Sequence, residues 1–200
     1  MVENNTNAVI LLGTLKNTDL SNTEVLCEFF AERAAKEGLS CEIVKLVDRN
    51  IAPGTYSDMG SGDEWPKILQ KVLAAGVVIF ATPVWWGGHS SEIQRVIERL
   101  DEIHDKILEG EKSALEGKAG GVIVTGDSDG AQHIIGNVGN FFNAVGLLFP
   151  PFATLSVFSE KLKKGAKTSR EELLKVYEKD YGKTADKMLM QLLKHAARGD

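Results

Sequence analysis

The chain has 200 residues, 43% of them hydrophobic and 26% charged, with a formal net charge of −5. That length suits one domain with a sizeable core, and that composition is globular rather than disordered. The acidic balance argues against a nucleic-acid binder, which would carry a basic patch, and Cys27 and Cys41 are too few for a four-cysteine zinc or iron–sulfur site. Each thiol reads instead as a small buried hydrophobe. The polar N-terminus lacks the basic start of a signal peptide, and apolar runs such as Val77–Phe80 are far too short to span a bilayer. The expected location is therefore cytoplasmic.

Ala8–Leu12 is a short apolar run that ends at Gly13 and reads as a strand. Val25, Leu26, Phe29, Phe30 and Ala34 recur at helical spacing, and Gly38 stops that helix. Cys41–Val47 alternates as a second strand. A loop rich in Gly, Asp, Ser and Pro follows from about Asp48 to Glu64, and Pro66 suits the first turn of a helix reaching about Ala75. Val77–Ala81 is continuously apolar, as a strand covered on both faces should be. Ile93, Val96, Ile97, Leu100, Ile103 and Ile107 form one helical stripe. Gly121–Thr125 is a strand, Ala131–Val145 a helix, Ala153–Phe158 a strand, and about Arg170–Ala197 a long helix. Ser21-x-x-Glu24, Ser91-x-x-Gln94 and Ser169-x-x-Glu172 are spaced as capping boxes, with Asp129-x-x-Gln132 a related pairing. Strands alternating with helices imply a three-layer α/β domain with helices on both faces of a parallel sheet. Five strands favour the flavodoxin-like order 2-1-3-4-5.

In such a sheet the loops leaving the first, third and fourth strands meet on one edge, where open α/β sheets take their ligands. The first loop, Gly13–Thr23, carries Thr14, Thr18, Ser21, Asn22 and Thr23 ahead of a helix N-terminus, a setting that suits a phosphate without requiring a lysine. It is neither a Walker A loop nor a dinucleotide fingerprint. The second is Thr82-Pro83-Val84-Trp85-Trp86-Gly87-Gly88, with two of the chain's three tryptophans, and suggests a flat ring as guest. The third is Thr125-Gly126-Asp127-Ser128-Asp129-Gly130. Each also has a plainer reading: a polar turn closed by a Ser21 cap, a hydrophobic plug or dimer contact, and an ordinary loop capped by Asp129.

Three segments resemble the flavodoxin-like NAD(P)H-dependent oxidoreductases, the NADPH-dependent FMN reductase family. They are Asp58–Pro66, Ala81–Gly87 with Arg95–Asp101 behind it, and Val124–His133. The resemblance runs to about Phe158. It implies FMN, with its phosphate held by Thr14, Lys16, Ser21, Asn22 and Thr23. It implies a ring-binding loop at Pro83, Val84, Trp85, Trp86 and Gly87, and a third loop at Thr125, Gly126, Asp127 and Gly130. The family's usual Gly-Ser-x-Arg opening is here Gly13-Thr14-Leu15-Lys16, which replaces a forked guanidinium by a point charge. The implied partners are NAD(P)H and a quinone, free flavin or other aromatic acceptor, in a homodimer with the flavin near the interface. No acid or base stands out, so no catalytic residue is assigned.

A flavodoxin-type electron carrier and a flavin-free module on the same fold are the rival functions; the first would be more acidic than −5. The loop holding Tyr56, Asp58, Met59, Asp63 and Glu64 is expected to border the flavin, and its acidity tilts the nucleotide toward NADH. His89 and His133 lie near the site loops, whereas His104 and His195 fall on helices. Tyr177, Tyr181, Ala185, Met188 and Leu192 make a stripe on the last helix that suits either a dimer contact or the sheet, and Gly182 is placed to interrupt it.

Overall fold

β1 (Asn7–Leu12), β2 (Ser40–Lys45), β3 (Val77–Pro83), β4 (Ala119–Gly126) and β5 (Thr154–Phe158) form one sheet in the order β2-β1-β3-β4-β5, every neighbouring pair parallel. The computed structural model describes residues 6–126, 129–159, 162 and 167–196. β1, β3 and β4 are buried along nearly their whole length, which is why they read as unbroken apolar runs. β2 is an edge strand and alternates. It ends two residues before the expected Val47, because Leu46–Asp48 closes into a 3-10 turn with Arg49 N–H on the Leu46 carbonyl at 2.9 Å.

Successive side chains of β1 part to opposite faces. Ile10 and Leu12 join α1 (Asn22–Lys36) and the C-terminal helices, whereas Val9 and Leu11 join α2 (Trp65–Ala74), α3 (Ser91–Arg99), α4 (Asp101–Leu108) and α5 (Ala131–Ala144). The stripe expected as one helix from Ile93 to Ile107 is thus two, divided at Leu100. The long last helix is also divided. α6 (Arg170–Val176) passes through a π-helical segment, Tyr177–Tyr181, into α7 (Gly182–His195). Its stripe covers the sheet: Tyr177, Ala185, Met188 and Leu192 are buried in the core beneath β3, β4 and β5.

The caps follow the sequence in part. Ser169 and Glu172 complete a reciprocal capping box. Ser21 caps α1 by accepting from Glu24 N–H, but the Glu24 carboxylate pairs with Lys45 at 3.0 Å. α3 is capped by Ser90 and not by Ser91: the Ser90 N–H is held on the Thr82 hydroxyl at 2.9 Å, so Ser90 stays extended and the helix starts at Ser91, one residue earlier than a Ser91 cap would give. α5 takes no cap from Asp129; Gly130, at φ 140°, is its N-cap. Cys27 is fully buried and its thiol pKa is pushed up by burial, while half-buried Cys41 is pushed up to about 11 by the same cause.

Candidate active site at the carboxyl edge of the sheet

Main-chain geometry brings the three loops together. Gly13 N–H continues the β1–β3 ladder onto the Ala81 carbonyl at 2.8 Å, and Val84 N–H reaches the Thr125 carbonyl at 2.8 Å. A Cβ on Gly13 would stand 2.5 Å from Ile93 Cγ1 and 2.6 Å from Ser90 Oγ, so only glycine lets the start of α3 close on the first loop. A Cβ on Gly130 would stand 2.8 Å from Val84 Cγ1 and 3.1 Å from Gly87 Cα, so the second and third loops touch through glycine.

The first loop is organised by hydroxyls. Thr14 and Ser21 are both buried, and Thr14 Oγ1 accepts from the Ser21 hydroxyl at 2.8 Å and from Lys16 N–H at 3.2 Å. With two donors on its oxygen, Thr14 still has its own proton to give. Lys16 Nζ donates to the Leu20 carbonyl at 2.8 Å, which ties the loop across its mouth and keeps the cation there. Thr23 and Thr125 share a buried hydroxyl pair at 2.7 Å, locking the start of α1 to the end of β4. Asn22 turns its amide away, donating to the Leu162 carbonyl at 3.2 Å. The first N–H groups of α1 lack intrahelical acceptors and carry the positive end of the helix dipole.

The second loop is a tight two-residue turn. Trp85 and Gly88 exchange both backbone hydrogen bonds at 2.8 Å, and the central residues Trp86 and Gly87 have φ 49° and 78°. Positive φ at both centres is the mark of a type I′ turn. Trp85 is 41% exposed and Trp86 is fully exposed at the tip. Pro83 and Val84 are half-buried beneath it. Thr125, Gly126 and Gly130 of the third loop lie against this turn, and Asp127 falls outside the described residues. His89 bridges from Ser90 O to Asn137 Oδ1, each at 3.2 Å, and so joins the turn to α5, whereas His133 is exposed on the first turn of α5.

The long loop before α2 is hooked elsewhere. Arg99, fully buried, pairs with Asp63 at 2.6 Å and donates to the Tyr56 and Ala52 carbonyls at 2.8 Å. Ser57 N–H donates to Glu102 at 2.5 Å. The loop's acids are consumed in this way: Asp63 on Arg99, Asp58 on Gly60 N–H, and Glu64 on Asn50 N–H and Arg49. Pairing with Arg99 and Arg49 offsets two of the charges on which the expected tilt toward NADH rests. Burial alone would raise the Asp63 pKa, but the Arg99 guanidinium and the N–H groups of Met59, Trp65 and Ala52 hold it down to about 2. Sequence reasoning gave Arg99 no role of its own; its traces are its place in the Arg95–Asp101 segment and a cation three residues after Val96, on the apolar stripe of α3. Thr82 and Ser90, which pin the turn to α3, were also missed.

The chain matches the model of the NADPH-dependent FMN reductase family over residues 6–159. It is 30% identical over 156 residues to 8-demethyl-8-aminoriboflavin-5'-phosphate synthase of Streptomyces davaonensis, covering 73% of this chain and 61% of that protein. It is 34% identical over 151 residues to the divalent metal cation transporter MntH of Mycobacterium bovis, covering 73% of this chain and 22% of that protein. The chain thus spans less than two thirds of either relative, and no described helix is long and apolar enough to cross a membrane. Among solved structures it superposes on RosB with bound 8-demethyl-8-formylriboflavin-5'-phosphate at a TM-score of 0.76, with 22% identity, covering 96% of this chain and 79% of that one.

The donor set fits FMN. The Thr14 hydroxyl, the Lys16 cation and the first N–H groups of α1 are hard donors for a phosphate. The contact between Gly87 and Gly130 brings the main chains of the second and third loops together without intervening side chains of their own, which suits close approach of a planar ring.

Proposed function

Because the chain belongs to the NADPH-dependent FMN reductase family, we propose that it is an FMN-dependent oxidoreductase acting as a homodimer. It takes hydride from NADH or NADPH and passes electrons to a quinone, a free flavin or another aromatic acceptor. FMN, its cofactor, supplies the redox chemistry when bound; the chain supplies binding, orientation and electrostatics. In this reading Thr14, Lys16, Ser21, Asn22 and Thr23 form the phosphate end, Ser21 acting through Thr14 and Asn22 through its backbone. Pro83, Val84, Trp85, Trp86 and Gly87 form one edge of the ring site, and Thr125, Gly126, Asp127 and Gly130 the other.

The observation that carries the reading is the Trp85–Gly88 turn. It presents a fully exposed indole on a strained backbone, linked through Val84, Thr125 and Thr23 to the hydroxyl-lined start of α1. An exposed aromatic held out at such a cost suits stacking of a nicotinamide or aromatic acceptor against the open side of the site. The C-terminal stripe is spent on its own sheet, so Trp85 and Trp86 are the better-placed contacts for a second subunit.

The test is the absorption spectrum of the purified protein, reconstituted with FMN and titrated anaerobically with NADH and with NADPH. Flavin bands that bleach rapidly support the enzyme. Bands that persist would point to an electron carrier, and no flavin binding at all would defeat the reading. Sedimentation of the same preparation reads the dimer.

A further inference from the structure

The C-terminal helices lie beyond residues 6–159, yet they reach back to both ends of the candidate flavin site. Tyr177 is fully buried and its hydroxyl donates at 3.0 Å to the carbonyl of Asn22, the first residue of α1. Its ring packs against Phe29 of the same helix, centroids 6.0 Å apart. One π turn later, the Tyr181 hydroxyl donates to the Phe158 carbonyl at 2.8 Å and accepts from Phe158 N–H at 3.3 Å. Phe158 ends β5 opposite Gly126, where the third loop begins, and Ser159 N–H donates to Gly126 O at 3.3 Å.

The π segment sets this reach. Leu173, Tyr177, Tyr181 and Ala185 are spaced by four, and each such step overshoots a 3.6-residue turn by about 40°. An unbroken α-helix would carry the later residues off the sheet; the wider turn brings Tyr177, Tyr181 and Ala185 back to it. Arg33 of α1 fixes the segment from outside, paired with Asp186 through both carboxylate oxygens at 2.7 and 2.8 Å and with Glu178 at 2.7 Å.

We propose that Tyr177 and Tyr181 are positioning residues of the flavin site, Tyr177 fixing the phosphate end through Asn22 and Tyr181 fixing the ring end through Phe158 and Gly126. This rests on the FMN reading above. Neither phenol touches the cofactor. Each acts by holding main chain whose N–H groups must be aimed correctly. Tyr177→Phe keeps the buried ring and leaves the Asn22 carbonyl its helical acceptor role, so the fold is retained and the tether alone is lost.

The test uses the full chain as wild type, Tyr177→Phe and Tyr181→Phe, titrated with FMN and with riboflavin by quenching of flavin fluorescence. Tyr177→Phe is expected to weaken FMN roughly three- to tenfold and leave riboflavin unchanged, since the start of α1 at the phosphate end loses the hydrogen bond that tethers it. Tyr181→Phe is expected to weaken both flavins by the same factor and to shift the visible absorption of the bound flavin. A packing role alone would lower the thermal midpoint with no change in the riboflavin-to-FMN ratio or the spectrum, and that result overturns the inference while the FMN reading stands. A wild-type protein that binds neither flavin overturns both.

Discussion

Trp86 occupies a left-handed backbone conformation that costs an L-residue about 1–2 kcal/mol, while its indole, fully exposed, recovers nothing by burial. Asparagine tolerates that conformation far better. Trp86→Asn is therefore expected to stabilise the protein by about 0.5–1 kcal/mol, read from the denaturant midpoint, and to raise KM for the nicotinamide or the acceptor several-fold. A variant that is more stable and kinetically unchanged would remove Trp86 from the site. The tryptophans were legible as unusual residues in a strand-to-helix loop, because composition alone marks them. Their turn was not, because Trp-Gly lacks the Asn-Gly or Asp-Gly signature of a type I′ turn. Ser90 was missed in favour of Ser91 for a similar reason: two adjacent serines are equivalent in sequence, and the Thr82 hydroxyl that chooses between them comes from eight residues away.

At the scale of elements, the long loop from Arg49 to Glu64 is held by two carboxylates that the sequence gives no means of pairing. The Arg99–Asp63 and Glu102–Ser57 contacts bridge 36 and 45 residues. Hydrogen bonds from the Ser57 hydroxyl and N–H, and the nearby Lys106, outweigh burial and hold Glu102 down to about 2. Both acids titrate below their ordinary values of 3.8 and 4.5, so folding favours the ionised forms. The stabilisation is complete above about pH 4.5 and is lost as the pH falls toward about 2. Denaturant midpoints measured from pH 7 down to pH 2 should trace this acid limb. Asp63→Asn should leave a shallower limb, that of Glu102 alone, and cost roughly 3–5 kcal/mol at neutral pH, because Arg99 is left buried without its counter-charge. An unchanged acid limb in that variant would show that the hook does not govern the loop. The division of the last helix was partly marked: Gly182 was placed to interrupt it, whereas Tyr177, Tyr181 and Ala185 read as one continuous stripe.

Across the whole molecule, the parallel sheet was legible from the alternation of elements and its order from the count of five strands, since right-handed crossovers leave few topologies. What alternation cannot convey is how closely the helix layers approach. β4 carries a glycine pair, each glycine facing one layer: a Cβ on Gly120 would lie 2.6 Å from Phe142 Cδ2 of α5, and a Cβ on Gly121 would lie 2.8 Å from Met188 Cε of α7. The two contacts differ in what can yield. Phe142 is fully buried and wedged edge-on between Phe80 and Phe149, at 4.9 and 5.7 Å, so it has nowhere to turn. The Met188 methyl ends a chain of three rotatable bonds and can swing aside. Gly120→Ala should therefore cost about 1–3 kcal/mol, and Gly121→Ala under about 1 kcal/mol. Because β4 runs directly into Thr125 and Gly126, the displacement in Gly120→Ala is also expected to weaken FMN binding, read by the same fluorescence titration. Equal losses in the two variants would mean that the α5 layer is free to shift as a unit, and the aromatic wedge would then have no part in fixing the distance between sheet and helix.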